Sequence, residues 1–182
     1  MRIAVVMLAL FASPLAAHVL LDEPARRYDD MKDGPCGRGG ANDGRTSRFK
    51  RYAAGETITM RWTETIDHEG SWVVGFDNDG ADEDDFASTI LYEAPDPRGT
   101  GGEQVTAEVT LPDVECTNCT LRLLQVMTTS DVVRPQDLYF QCADIVLGEG
   151  ESSPGVTCQA GGAPGAMAVL ALALRRRRLR RG

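Results

Sequence analysis

The sequence consists largely of short β-type segments separated by turn-forming residues. Several segments alternate apolar and polar side chains, as residues 105–111 do, and Gly, Pro, Asn and Asp cluster between them. No long window has the period of an amphipathic helix. This spacing predicts an all-β fold, an immunoglobulin-like antiparallel β-sandwich of two sheets. The seven predicted strands are residues 18–22, 57–62, 72–77, 89–92, 105–111, 120–128 and 138–147.

The first 17 residues have the composition of a secretory signal peptide. Arg2 precedes an apolar run at residues 3–12, and small residues lead to Ala17. The apolar run is about half the roughly 20 residues of a membrane-spanning helix. We therefore expect export, with cleavage that leaves His18 as the first residue of the mature chain.

The composition changes again after the predicted sandwich domain at residues 18–147. Residues 148–160 are rich in Gly, Ser, Pro and Glu, which predicts a linker. The tail at 161–182 has an apolar run followed by six arginines, a stop-transfer pattern. With Cys158, it resembles bacterial MYXO-CTERM sorting signals. The resemblance implies processing near Cys158 and association with the cell surface or outer membrane, with or without later release; the alternative is a frayed tail without a role.

The charge distribution limits the partners of the exported domain. All 27 acidic residues lie between Asp22 and Glu151, where only 12 of the 19 basic residues lie, a net charge of −15. This charge argues against nucleic acid and against an anionic membrane surface, so contact with a membrane is expected only through the tail. A neutral polysaccharide is compatible with it, and we expect a monomer.

The chain has only two histidines, His18 and His68. After cleavage His18 offers its ring and its free α-amine, and both are readily neutral at mildly alkaline pH. Three nitrogen donors in a planar arrangement favour Cu(II), whereas zinc prefers a tetrahedral set that this domain does not offer. The pair therefore predicts a site for one copper ion. The alternative is an incidental pair of surface histidines.

An N-terminal histidine, a mid-chain histidine before an aromatic strand, and an aromatic-x-x-Cys strand at 139–142 follow one another in this order. With the Cys-x-x-Cys-x-Leu-Arg segment at 116–122, they resemble the lytic polysaccharide monooxygenases. The resemblance implies a copper histidine brace from His18 and His68, with Tyr139 as the axial aromatic. It also implies a glutamine near the copper that steers the oxygen species, for which the candidates are Gln125, Gln141 and Gln136.

Other aromatic residues have more ordinary roles. Trp62 and Trp72 are predicted to lie in the sandwich core rather than to bind substrate. Tyr28, in the long polar segment after His18, is the best candidate for a substrate-binding aromatic. Position 123, where the resemblance leads us to expect an aromatic residue, holds Leu123 instead.

The domain has four cysteines, and disulfides are expected in an exported chain. Cys116 and Cys119 are predicted to form a local disulfide; a redox dithiol or half a zinc site are the alternatives. Cys36 and Cys142 would then pair, which would pin the long polar segment at 23–50 beside Tyr139.

The acidic run at residues 77–85 resembles a calcium loop but lacks the spacing of an EF-hand, so a solvated loop is predicted. No catalytic triad, P-loop or dinucleotide fingerprint occurs.

Three functions remain open from the sequence. The first is copper-dependent oxidative cleavage of a polysaccharide with an external electron donor. The second is redox-silent copper binding or uptake through the same brace. The third is a metal-free carbohydrate-binding module at the cell surface.

Overall fold

The computed structural model describes residues 18–148, which form a β-sandwich of two sheets, as predicted. One short helix, α1 (Glu83–Ser88), and two 3-10 turns, Gly40–Asp43 and Pro135–Asp137, interrupt the strands. The strands are β1 Val19–Glu23, β2 Phe49–Ala53, β3 Thr57–Glu64, β4 Gly70–Asp77, β5 Ile90–Asp96, β6 Gln104–Thr110, β7 Cys116–Val126 and β8 Leu138–Gly148.

The two sheets differ in size and in one pairing. The smaller sheet has the antiparallel order β1-β3-β6, and the larger has the order β2-β8-β7-β4-β5. Every pair in the larger sheet is antiparallel except β2 with β8, which is parallel. The seven predicted strands correspond to β1 and β3–β8. Strand β2 was missed because it is an edge strand with three consecutive exposed residues, so it has no apolar alternation.

The core lies between the two sheets and confirms the structural role of the tryptophans. Trp62 on β3 and Trp72 on β4 are almost fully buried, with ring centroids 5.6 Å apart at a tilted angle. In β3 buried residues alternate with less buried ones, which is the pattern of a strand with one face towards the core. Burial of such aromatic surface is the main stabilising contribution.

The long polar segment between β1 and β2 is tied to the larger sheet by a buried cluster, here called the loop clamp (Arg27, Asp43, Thr46, Thr120 and Asp144). Arg27 donates to Asp144 Oδ1 from Nε at 2.9 Å and from Nη2 at 2.6 Å, and to the Thr120 hydroxyl at 2.8 Å. Arg27 Nη1 also donates to the Asp43 carbonyl. Asp144 Oδ2 accepts from the backbone and hydroxyl of Thr46 at 2.8 and 2.7 Å.

The acidic run is more ordered than the predicted solvated loop. Asp77 is buried, and its carboxylate accepts backbone N–H groups from Asp79, Gly80 and Asp82. Asp82 then caps α1 by accepting from the backbone of Asp84 at 2.9 Å. An Asp at an N-cap position and acidic residues in the first turn favour a helix start here, so the run ends as a helix rather than a loop.

The predicted signal peptide at 1–17, most of the predicted linker, the predicted sorting tail and Cys158 lie outside the described residues. Within 18–148, no helix is long and apolar enough to cross a membrane.

Candidate metal site

Three rings predicted to form the site lie together at one end of the sandwich. The ring of His18 stacks on that of Tyr139, with centroids 3.8 Å apart and an interplanar angle of 22°. The rings of His18 and His68 have centroids 5.0 Å apart at 14°. These residues come from the chain before β1, the β3–β4 loop and the start of strand β8, so the site is assembled from three distant parts of the sequence.

Backbone pairing explains why the two histidines meet. Val19 of β1 pairs with Glu64 at the end of β3, and the Thr65 N–H donates to the His18 carbonyl at 2.9 Å. His18 is therefore fixed beside the start of the β3–β4 loop, which carries His68 three residues further on.

The β3–β4 loop is also joined to the neighbouring β5–β6 loop. Asp67 Oδ1 accepts from the Gly99 N–H at 2.7 Å, and Arg98 Nε donates to Glu69 Oε2 at 3.1 Å. A side chain at Gly101 would place its Cβ only 2.7 Å from the Asp67 Cβ, so the close approach of the loops requires glycine there.

The nitrogen atoms at this end fit a copper ion. His68 Nε2 is buried and has no hydrogen-bond partner within residues 18–148. A buried imidazole nitrogen without a partner is costly unless a metal or another group satisfies it. Imidazole nitrogens suit Cu(II), whose affinity exceeds that of the other divalent first-row metals.

A buried polar cluster under the His68 loop was not anticipated from the sequence. This support cluster consists of Glu64, Asp96, Thr100 and Gln125. Glu64 Oε1 accepts from the His68 backbone N–H at 2.9 Å, and Glu64 Oε2 accepts from the Thr100 hydroxyl at 2.6 Å. Glu64 lies on the same face of β3 as Ile58, Met60 and Trp62, so the period-2 alternation of this strand is the signal that could have indicated its burial.

Gln125, predicted to act near the copper, belongs to this support cluster. It pairs between Trp72 on β4 and Tyr139 on β8, so its side chain lies on the core face behind the tyrosine. It is fully buried, and Nε2 donates to Asp96 Oδ2 at 3.0 Å and to Glu64 Oε1 at 3.4 Å. The amide nitrogen is therefore already engaged by two carboxyl groups.

The carboxyl group of Asp96 is unusually hard to ionise. Burial raises its pKa to about 6; the hydrogen bond from Gln125 opposes this rise, the negative charge of Glu64 adds to it, and the hydrogen bond from Trp72 opposes it. Asp96 Oδ1 and Gln125 Oε1 have no hydrogen-bond partner within the described chain. Two acidic groups thus share one amide donor beneath the histidine loop.

Lys32, a second residue not predicted from the sequence, lies against the Tyr139 ring at the start of β8. Its Nζ is 3.9 Å from the centroid of the Tyr139 ring and donates to the carbonyls of Gln136 and Leu138 at 2.8 and 3.1 Å. Burial lowers the pKa of Lys32 and raises that of Tyr139. The long polar segment thus contributes a cation at the rim of the site.

The other glutamine candidates are placed differently. Gln141 is fully buried, its Oε1 accepts from the Leu21 N–H at 2.6 Å, and its Nε2 donates to the Tyr28 carbonyl at 3.3 Å. It connects β8 to β1 and to the following loop. Gln136 is exposed in the 3-10 turn before β8, where its carbonyl accepts from Lys32.

Tyr28, the candidate for substrate binding, lies within the loop packing. Its hydroxyl donates to the Gly44 carbonyl, and the guanidinium of Arg38 lies 3.8 Å from the ring centroid. Contacts of the Tyr28 side chain are therefore with the long loop itself.

Both expected disulfides are present. Cys36–Cys142 joins the long loop to β8, across a sequence separation of 106 residues, and Cys116–Cys119 closes a short loop at the start of β7. Cys142 lies three residues after Tyr139, so the first disulfide holds the loop beside the strand that carries the aromatic ring.

The family model of BIM1-like copper acquisition factors matches residues 16–162, most of the chain. The protein belongs to this family. The family description implies copper as the metal, in agreement with the nitrogen donors found at the sandwich end. No curated protein matches the sequence.

Solved structures of similar fold include lytic polysaccharide monooxygenases. An AA15 enzyme from Thermobia domestica in the Cu(I) state has 21% identity and a TM-score of 0.44, over 54% of this chain and 62% of that chain, less than two thirds of its length. An AA10 enzyme from Streptomyces lividans has 15% identity and a TM-score of 0.49, over 71% and 99% of the two chains. A chitin binding domain from Burkholderia pseudomallei has 11% identity and a TM-score of 0.48, over 72% and 99%.

Proposed function

We propose that this protein is an exported copper-binding protein that acquires one copper ion through His18 and His68. The observation that carries the proposal is the convergence of the only two histidines of the chain at one end of the sandwich, where His68 Nε2 is buried without a hydrogen-bond partner in the described residues. The match to copper acquisition factors supports the same metal.

The ligand set is completed by processing of the chain. Cleavage after Ala17 frees the α-amine of His18, so that the amine, the His18 ring and the His68 ring supply three neutral nitrogens. In our proposal export is therefore required for function, and the tail with Cys158 retains the protein at the cell surface. The acidic surface of the domain favours the approach of a cation, because its negative potential raises the local cation concentration.

The chain's own residues would then hold and shield the metal ligands. Tyr139 covers one face of the His18 ring, and the Thr65 N–H fixes the His18 carbonyl. A copper ion bound here would be able to bind further ligands, and its change between Cu(II) and Cu(I) would supply one-electron chemistry.

Oxidative cleavage of a polysaccharide is the second candidate function. It is favoured by the stacking of Tyr139 on His18, since the resemblance to polysaccharide monooxygenases places an aromatic residue beside the copper. This function would need a polysaccharide substrate and an external electron donor. The placement of Gln125 and Gln141 favours the binding role over this one, because both side chains are fully buried and both amide nitrogens already donate to protein oxygens.

Copper titration of two N-terminal forms tests the proposed site. Protein that begins with a free His18 amine is compared with a form extended by one alanine and with His68→Ala, by competition with a Cu(II) chelator. We expect the extended form and the His68 variant to bind at least about 100-fold more weakly, because each loses a nitrogen ligand. Equal affinity of all three forms would reject the brace.

A turnover assay separates the two functions. The copper-loaded protein is incubated with chitin, cellulose or soluble glucans, together with ascorbate and H2O2, and the products are analysed by mass spectrometry. We expect tight copper binding and no oxidised oligosaccharides. Oxidised products that depend on copper and on His68 would establish the enzyme instead.

A further inference from the structure

The carboxylate of Glu64 lies between the histidine loop and the interior of the protein. Its two oxygens accept hydrogen bonds from three different elements: Oε1 from the His68 backbone and from the Gln125 amide, and Oε2 from the Thr100 hydroxyl. Glu64 itself is fully buried. No Lys or Arg lies within ion-pair distance of it in the described chain.

Burial of a carboxylate without a basic partner lowers the stability of the fold, so a carboxylate at this position indicates that its hydrogen bonds have a role. If Glu64 served only the strand, an apolar residue at this last position of β3 would pack against the core without that cost. What the carboxylate adds is an acceptor for the His68 N–H, in a five-residue loop between β3 and β4 whose own backbone provides no acceptor for that group.

We propose that Glu64 is the positioning residue for His68, and that Thr100 and Gln125 hold the Glu64 carboxylate in the orientation that fixes the histidine loop. The inference rests on the proposed copper site. Glu64 does not touch the metal; it acts through the backbone of His68. Fixed ligands reduce the conformational entropy lost on metal binding, and partners outside the ligand set typically change metal affinity by about 10–100-fold.

The arrangement also explains the place of Gln125. Its amide is directed at Glu64 and Asp96, on the core side of Tyr139. In our proposal Gln125 therefore acts on the copper site indirectly, by orienting Glu64, rather than by contact with a bound oxygen species.

Amide hydrogen exchange of the metal-free protein tests the positioning role without copper. Exchange of the His68 N–H is measured by NMR in the wild type, in Glu64→Ala and in Glu69→Ala. Glu69 is the matched control, because it is a carboxylate next to His68 whose ion pair with Arg98 is exposed and therefore contributes little to holding the loop. We expect exchange at His68 to be at least about 10-fold faster in Glu64→Ala and unchanged in Glu69→Ala.

Copper binding provides the second readout. Cu(II) affinity is measured by chelator competition, and the ligand geometry by the EPR spectrum. We expect Glu64→Ala to bind about 10-fold more weakly with an altered EPR spectrum, and Glu69→Ala to change affinity by less than about threefold. Equal effects of the two variants would show that Glu64 contributes only charge, and would overturn the proposal.

Two milder variants keep the test decisive if Glu64→Ala does not fold. Glu64→Gln retains an acceptor oxygen for the His68 N–H and is expected to restore most of its protection. Thr100→Val removes only the hydroxyl donor and is expected to accelerate exchange at His68 by a few fold. If Thr100→Val leaves both the exchange of the His68 N–H and the copper affinity at the wild-type values, or if Glu64→Gln loses protection as fully as Glu64→Ala, the positioning role is rejected. If the wild type binds no copper, the metal site itself is rejected, which the exchange data alone would not do.

Discussion

The two buried polar clusters of this sandwich differ in how their charges are balanced. In the loop clamp, Arg27 makes two hydrogen bonds to Asp144 and further bonds to Thr120 and Asp43, and the second Asp144 oxygen is satisfied by Thr46. In the support cluster, two carboxyl groups share the single amide of Gln125. One cluster is charge-paired, and the other is not.

The charge-paired cluster has a structural role, whereas the cluster without a cation lies beside the candidate metal site. The loop clamp satisfies its buried groups and attaches a long polar segment to the larger sheet. The support cluster leaves Asp96 Oδ1 and Gln125 Oε1 without partners within the described chain and raises the pKa of Asp96 to about 6. Unfavourable buried electrostatics of this kind concentrate near functional sites, and here they lie under the histidine loop.

The largest effect is expected from cutting the covalent link beside the clamp. Cys36–Cys142 restricts a loop of 106 residues, whereas Cys116–Cys119 restricts a loop of three. On the chain-entropy model, Cys36→Ser with Cys142→Ser lowers the free energy of unfolding by about 4–5 kcal/mol, and the equivalent change at Cys116 and Cys119 by about 2 kcal/mol. Urea denaturation of both double variants measures the difference. Equal losses would show that loop length does not decide the contribution of these bonds.

A slightly smaller effect is expected from Arg27→Met. This change leaves the buried Asp144 with only the weaker ion pair to Arg45, at 3.8 Å, and we expect the free energy of unfolding to fall by about 3 kcal/mol. Urea denaturation at neutral pH measures the loss. The control is the double variant Arg27→Met with Asp144→Asn, which removes the buried charge that has lost its main partner and should recover part of the loss. A double variant no more stable than Arg27→Met would mean that Arg27 stabilises through packing rather than charge.

Much of this architecture could be predicted from the sequence. Short apolar segments between turn residues located seven of the eight strands. Strands β3 and β6 alternate because one face lies in the core, whereas β8 is buried along most of its length. The two histidines were recognised as partners because the chain has no others, and the disulfides followed from the small number of cysteines in the domain.

What could not be predicted depends on contacts between distant residues. Arg27 resembles any charged residue in a loop, since its buried partner Asp144 is 117 residues away in sequence. The alternation of β3 places Glu64 on the core face, but its partner Gln125, 61 residues away, could not be predicted. Gln125 was recognised as a candidate near the metal, but its partners were not. Strand β2 has no alternation to detect, and the start of α1 was hidden in an acidic run that favoured a loop.

The smallest effect, and the one that tests the charge imbalance directly, is expected from Asp96→Asn. The folded-state pKa of Asp96 is raised from 3.8 to about 6, so the folded protein retains a proton that the unfolded chain releases. The stability associated with that proton is complete below about pH 4 and is lost as the pH rises through 6. Asparagine has the same shape and no such titration. We therefore expect Asp96→Asn to be more stable than the wild type by about 1–2 kcal/mol at pH 8, after allowance for solvent screening, and to show no such advantage at pH 4.

Urea denaturation of the wild type and Asp96→Asn at pH 4, 6 and 8 measures this difference, and Asp113→Asn, a change at a surface turn, serves as the control. Other carboxyl groups titrate in the same range, but they are common to the proteins and cancel in the comparison. A stability difference that does not change between pH 4 and pH 8 would show that Asp96 is ionised in the folded protein. The support cluster would then hold two full negative charges, which the interior would have to stabilise without a cation. Its contrast with the charge-paired loop clamp would be greater than the raised pKa implies.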